Sequence, residues 1–151
     1  PPACPSRALT PAQYAHLGEA WAQSHLSGGG PDASGAAGAT DAGVVAAGMV
    51  ELYNDFQRGG RLDGQRGQPD SPTKVPYGNY TYGVFMHSAG FSLDAAIFAG
   101  SAYGLHQQKS GAYKNVNPKD MGGWHGGIPL VNVANITAGF NASFEKGFWC
   151  E

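Results

Sequence analysis

Glycine fills 24 of the 151 positions, with no period of three to suggest a collagen-like chain. A chain so rich in the residue without a Cβ must contain many turns and many places where backbones approach closely. At this length a single domain, residues 1–151, is expected, large enough to bury a core without a metal or dense cross-linking. No apolar run approaches the roughly 18 residues that a membrane span needs.

The formal net charge is −2, and only nine residues are Lys or Arg. Phosphate contacts need clustered cations. Here the nearest thing to a cluster, Arg58, Arg61 and Arg66, is interrupted by glycines, which argues against a nucleic-acid partner. The two cysteines, Cys4 and Cys150, stand near opposite ends. A bridge between them would remove unfolded-chain entropy on the order of 4–5 kcal/mol; the alternative is two free thiols. Asn79-Tyr80-Thr81, Asn135-Ile136-Thr137 and Asn141-Ala142-Ser143 fit the N-glycosylation pattern. Together with the cysteines they point to a secreted, extracellular protein. The opening Pro1-Pro2-Ala3-Cys4 lacks an initiator Met and reads as a processed product, with something upstream removed.

Thr10-Pro11-Ala12-Gln13 offers an N-cap, a proline at the first helical position and a capping-box glutamine. The stripe Tyr14, Leu17, Trp21 and Leu26 follows, and Gly28-Gly29-Gly30 ends the helix. Residues 28–40 read as a loop. Asp41 caps a second helix to about Gln57, with Val45, Met49, Leu52 and Phe56 inward and Glu51 and Asp55 on another face. Pro69, Pro72 and Pro76 forbid a long helix over 61–76. Over 77–87, Tyr80, Tyr82, Val84 and Met86 alternate as a strand would, while Tyr82, Phe85 and Ala89 permit a helix; both stay open. Ser92 caps a helix to about Gln108, with Leu93, Ile97 and Leu105 inward and Ala96 and Gly100 allowing close packing. A glycine-rich segment, 109–130, carries Trp124 and His125. The last helix is read from Val133, Ile136, Phe140 and Phe144, ending near Gly147. The sum is a predominantly helical α+β domain: about four helices, long glycine-rich loops and room for a small sheet.

No metal site is expected, since there is no His-Glu-x-x-His, no cysteine pair at ligand spacing and no acidic calcium loop. No cofactor is implied either; no glycine loop leads into Lys-Ser/Thr, and no Gly-x-Ser-x-Gly elbow exists. Carboxylates remain. Glycoside hydrolysis uses a protonated acid beside the leaving oxygen and an ionised partner. Glu51, Asp55, Asp63 and Asp70 fall in or just after the second helix, where one carboxyl can be desolvated and another kept wet. The plainer reading of Glu51 and Asp55, one turn apart, is a solvated face. Loop aromatics supply the other half of a sugar site: Tyr77, Tyr80, Tyr82, Tyr103, Tyr113 and Trp124. Trp124-His125 stands out, because glycines around a large ring seldom build a core.

The stretch Tyr53-Asn-Asp-Phe-Gln-Arg-Gly-Gly-Arg-Leu-Asp63, followed by Tyr77-Gly-Asn-Tyr-Thr-Tyr-Gly83 and Ala89-Gly90, resembles the bacterial polymorphic toxin type 44 domain. That family shows Gly-Gly-x-Trp-Asp-x-Lys and then Gly-Asn-x-x-Tyr-Gly, so Asp63, Gly78, Asn79, Tyr82 and Gly83 fall on its motifs. Leu62 and Gln65 depart from its Trp and Lys, and Asn132 and Asn135 stand where an acidic run would be expected. The whole chain is similar to the fungal muramidases of glycoside hydrolase family 184, which are often preceded by a cell-wall-binding module. That resemblance implies a domain lysozyme-like in general plan that cleaves the β-1,4 bond between N-acetylmuramic acid and N-acetylglucosamine in bacterial peptidoglycan; a monomer is expected.

The site expected on these grounds places Asp63 first, Glu51 as general acid and Asp55 as its rival. Asn79, Tyr82, His87, Trp124 and His125 are the expected substrate contacts. Two other readings compete: a toxin-type nuclease using Lys74, His87 and His125, and a non-catalytic carbohydrate-binding module.

Overall fold

Helix α1, Pro11–Leu26, begins on a two-way cap: the Gln13 amide donates to Thr10 Oγ1 at 3.3 Å, and the Thr10 amide donates to Gln13 Oε1 at 2.8 Å. Two orphan donors of the first turn are satisfied this way. Tyr14 and Trp21 are buried, and Leu17 is half-buried, as the stripe requires. The structure, a computed structural model, describes residues 2–5, 8–26, 55–56, 60, 62 and 74–142, apart from the side chains of His25, Leu26 and Lys74.

Residues 77–87 are helical, within α2, Lys74–Ser88. Pro76 sits in the first turn, where its missing N–H would have had no helical partner, so it limits only how far back the helix extends. The helix ends on a Schellman turn. Gly90 takes φ 87°, its amide donates to the His87 carbonyl at 2.9 Å, and the Phe91 amide donates to the Met86 carbonyl at 3.0 Å. Tyr77, Tyr80, Thr81, Val84, Phe85, Met86 and Ala89 are all buried. A helix enclosed on several sides shows little periodicity, because it has no continuous wet face. That explains why strand and helix looked alike here.

Helix α3, Leu93–Gln108, starts where expected, with the Ala95 amide donating to Ser92 Oγ at 3.1 Å. Its inward face matches expectation in part, with Ala96 buried and Ile97 packed against the core. Ala96, Ser101 and Gly104 are the buried residues, while Leu93, Ile97 and Leu105 are half-buried. Helix α4, Leu130–Ala142, buries Asn132, Ile136, Gly139 and Ala142. Between α3 and α4 a two-stranded antiparallel ribbon pairs β1, Met121–Gly122, with β2, Ile128–Pro129. The fold is therefore predominantly helical α+β, with the small sheet in the glycine-rich segment. No helix among the described residues is long and apolar enough to cross a membrane.

Glycines set how these helices meet. A methyl on Gly83 of α2 would overlap the Ile136 carbonyl of α4, and one on Gly139 of α4 would overlap the Tyr80 carbonyl of α2. The two backbones thus touch reciprocally, each through the other's glycine. Gly18 does the same for α1, against the Phe85 carbonyl. Aromatic rings fill the space around this crossing. Trp21 meets Phe91 at 5.2 Å, and Phe56 meets Tyr82 and Phe85 edge-on at 5.2 and 5.0 Å. Tyr14 adds a hydroxyl donated to the Leu62 carbonyl at 3.1 Å. Asp55 and Phe56 are helical, as expected near the end of the second helix; the rest of it, residues 41–54 and 57, lies outside the described residues, as do the 28–40 loop and everything after Ala142.

Gly139→Ala should destabilise the fold by about 1–3 kcal/mol or more, since backbone carbonyls cannot step aside as side chains do. Gly100→Ala is the control. Its added methyl would lie 3.5 Å from Ile136 Cδ1 and 3.6 Å from Tyr82 Cε1, ordinary contacts, in a helix interior. It should be neutral or stabilise by up to about 1 kcal/mol. Urea unfolding midpoints of the two variants measure the contrast.

Candidate functional site

Helix α3 holds the segment 123–127 through three devices. Ser101, fully buried, donates its hydroxyl to the Ile97 carbonyl at 2.7 Å and accepts the Trp124 amide at 2.9 Å. Gln108 Nε2 donates to the Gly126 and Gly127 carbonyls at 3.0 and 3.2 Å. Gly127 lies against the Ser101 backbone and Gly104 against the Gly127 carbonyl, so close that a methyl on either would overlap backbone. The segment is also conformationally unusual. Gly123, His125 and Gly126 take φ of 68°, 52° and 64°, and His125 is no glycine. Strain of this kind costs on the order of 1–3 kcal/mol and gathers at binding and catalytic sites.

What this clamp presents is an aromatic ledge. Trp124 is 44 % exposed and Phe98, from the outer side of α3, 37 % exposed; their rings are 4.8 Å apart and inclined at 60°. His125, also exposed, stands edge-on to the indole at 4.3 Å. Leu130 and Val131, at the start of α4, complete the large exposed hydrophobics among the described residues. Single exposed apolar residues need no explanation; here the indole of Trp124 touches both Phe98 of α3 and His125 of the loop, so the exposed rings are contiguous.

Of the expected contacts, Trp124 and His125 are brought together, while Asn79, Tyr82 and His87 lie along α2. Asn79 donates its side-chain amide to the Val75 carbonyl at 3.0 Å. Its sequon is inside the helix, with Thr81 fully buried and bonded to the Tyr77 carbonyl at 3.0 Å. Tyr82 is partly buried, and its hydroxyl turns toward α3. Its hydroxyl is enclosed between α2 and α3 and donates to the Ala96 carbonyl at 2.8 Å. Burial there pushes the phenol far above its ordinary pKa, against a smaller opposing pull from a Gly100 backbone hydrogen bond. His87, half-buried in the last turn of α2, packs edge-on against Phe140 at 4.6 Å, and burial lowers its pKa below the ordinary 6.5.

Among the expected carboxylates, Asp55 is half-buried, and its carbonyl accepts the Leu62 amide at 2.6 Å. Glu51 and Asp63 lie outside the described residues, as does Cys150. Cys4 Sγ lies 3.2 Å from the Tyr77 hydroxyl oxygen, and that hydroxyl donates to the Leu9 carbonyl. No group of three or more His, Cys, Asp or Glu able to hold a metal ion occurs among the described residues. No protein-family model, curated protein or solved structure matches the chain.

Sequence reasoning missed Phe98 and Ser101. Phe98 carried a usable signal, a large aromatic off the inward stripe of a well-capped helix. Ser101 carried none, because nothing local says that its hydroxyl will meet a loop 23 residues on. Tyr113 is a further surprise, with φ 62°. Its phenol pKa is raised by burial and then by neighbouring Tyr103, partly offset by a hydrogen bond to Asn132.

The His87 shift carries a stability consequence. A histidine whose folded pKa lies below its unfolded value binds more protons unfolded than folded, so its contribution is present above about pH 6.5 and lost as pH falls through that value. The melting temperature should therefore drop on acidification from pH 7 toward pH 5, and His87→Gln should flatten that slope relative to wild type.

Proposed function

We propose that this chain is a secreted muramidase that binds bacterial peptidoglycan at the Trp124 ledge and cleaves it by carboxylate chemistry without a metal or cofactor. The observation that carries the reading is the exposed indole itself, held by Ser101 and Gln108 on a loop that cannot collapse. Flat aromatic faces complement the apolar faces of pyranose rings, and a preorganised face loses little entropy on binding. His125 beside it supplies a hydrogen-bonding nitrogen for sugar hydroxyls.

In this reading Asp63 and Glu51 are the catalytic pair, with Asp55 as the alternative acid. One carboxyl is kept protonated by desolvation and its partner is ionised in a wetter position. Asp55 shares its helix end with Phe56, whose ring is packed into the core against Tyr82 and Phe85. A carboxyl there has a rigid base, as a general acid needs. Cys4 and Cys150 form the proposed disulfide, and Asn79 on α2 with Asn135 and Asn141 on α4 are the proposed glycan sites.

A non-catalytic wall-binding module is the second reading, favoured by one observation: the ledge is complete among the described residues without any carboxylate in it. Incubation with labelled Gram-positive cell walls, and separately with RNA and DNA, separates the readings. A muramidase releases reducing ends, a binding module binds without turnover, and nucleotide release would mark a toxin-type nuclease and overturn both. Asp63→Asn should abolish wall lysis with an unchanged melting temperature. Trp124→Ala should weaken wall binding about tenfold, the scale of one lost aromatic contact of about 1.5 kcal/mol. Peptide mapping without reductant should recover Cys4 joined to Cys150.

A further inference from the structure

We propose that the first turn of α4 and the ribbon beside it form a docking surface for an anionic phospholipid bilayer. Leu130 and Val131 enter the boundary between headgroups and acyl chains, and Lys109, Lys114 and Lys119 meet lipid phosphates. This goes beyond the wall-cleavage reading and does not rest on it. Val131 and Leu130 are the two most exposed large hydrophobics among the described residues, at 62 % and 50 %. Water around such a pair is released when an apolar phase covers it. Leu130 lies across β1, where a methyl on Gly122 would overlap its Cδ2, so the pair leads toward the exposed ring of Trp124, two residues past Gly122. An indole suits the same boundary, because its ring is apolar and its N–H polar.

Charge decides what covers this surface. Lys109, Lys114 and Lys119 are all exposed, and none forms an ion pair among the described residues. The fold brings each of them to the ribbon or to α4 through a neighbour in the chain. Gln108, before Lys109, donates to the Gly126 and Gly127 carbonyls. Tyr113, before Lys114, is hydrogen-bonded to the side chain of Asn132, which directly follows Val131. Lys119 lies in the short 3₁₀ helix Pro118–Asp120, which runs straight into β1. From residue 95 to residue 142 the three lysines are opposed by one acid, Asp120, whereas the rest of the chain holds six basic and ten acidic residues. The next acid back along the chain is Asp94, exposed in the first turn of α3. A nucleic acid or a soluble phosphodiester polymer would meet the lysines and leave Leu130 and Val131 in water. A neutral apolar partner would leave the lysines unpaired. An anionic bilayer satisfies both, and the protein lies on it without crossing it.

The test is cosedimentation of the intact chain with vesicles of phosphatidylcholine alone and of phosphatidylcholine with about 30 % phosphatidylglycerol. Any N-glycan is removed first, because Asn135, bonded to the Val131 carbonyl at 3.0 Å, stands one turn along α4 from the surface. Wild type should bind the anionic vesicles at least about tenfold more tightly than the neutral ones, and about 0.5 M salt should weaken that binding. Replacing Lys109, Lys114 and Lys119 by Gln should weaken it about fivefold for each charge lost. Leu130→Ser with Val131→Ser should weaken it about tenfold. All five positions are exposed, so the variants should melt as wild type does. Equal binding to both vesicles, or binding that survives the change at 130 and 131, overturns the bilayer assignment. So does binding of soluble poly(glycerol phosphate) or RNA with none to anionic vesicles. Wall binding and lysis are read in a separate assay, so a failure here leaves the muramidase reading standing, and a failure there leaves this surface standing.

Discussion

The reciprocal contact of α2 with α4, each helix receiving the other's carbonyl where it has only a hydrogen, is the constraint on which the rest of the architecture depends. It draws the two axes closer than any side chain would permit and forces the larger groups to the flanks. Phe56, Tyr82, Phe85 and Trp21 pack there edge to edge. Backbone contact at a crossing also lets many dispersion contacts form at once, and close packing of this kind accounts for much of core stability. Gly18 extends the same device to α1, so α2 is the helix around which the other elements are arranged.

Much of this was legible in the residues, and for definite reasons. The α1 cap is local chemistry, Thr10 and Gln13 three apart, and local chemistry is readable. The same holds for Ser92 and α3. What was not readable came from tertiary enclosure. The segment 77–87 looked ambiguous because apolar residues point in every direction around a central helix. The buried face of α3 was read only in part: Ala96 was expected to pack closely and does, whereas Ser101 and Gly104 are inside because the Gly127 backbone needs their space.

The same division runs through the aromatic ledge. Trp124 and His125 announced themselves by standing large among glycines, whereas Phe98 became a partner only once α3 and the loop were placed side by side. Tyr82 was matched to a motif, and its hydroxyl turns out to tie two helices together. A motif position can thus owe its identity to packing. His87 shows the converse, since its burial against Phe140 gives an otherwise ordinary helix-end histidine an altered proton affinity.

The glycine clasp between α3 and the loop before β2 has a consequence for how such a surface can diversify. Neither Gly104 nor Gly127 has room for a substituent, and Ser101 fills the remaining gap. Lengthening the loop or shifting its register would break the clasp. Variation that keeps the clasp intact is therefore confined to the outward side chains at 98, 124 and 125. Substitutions at those three places would change what the ledge presents over an unchanged scaffold, as interchangeable tips fitted to one handle.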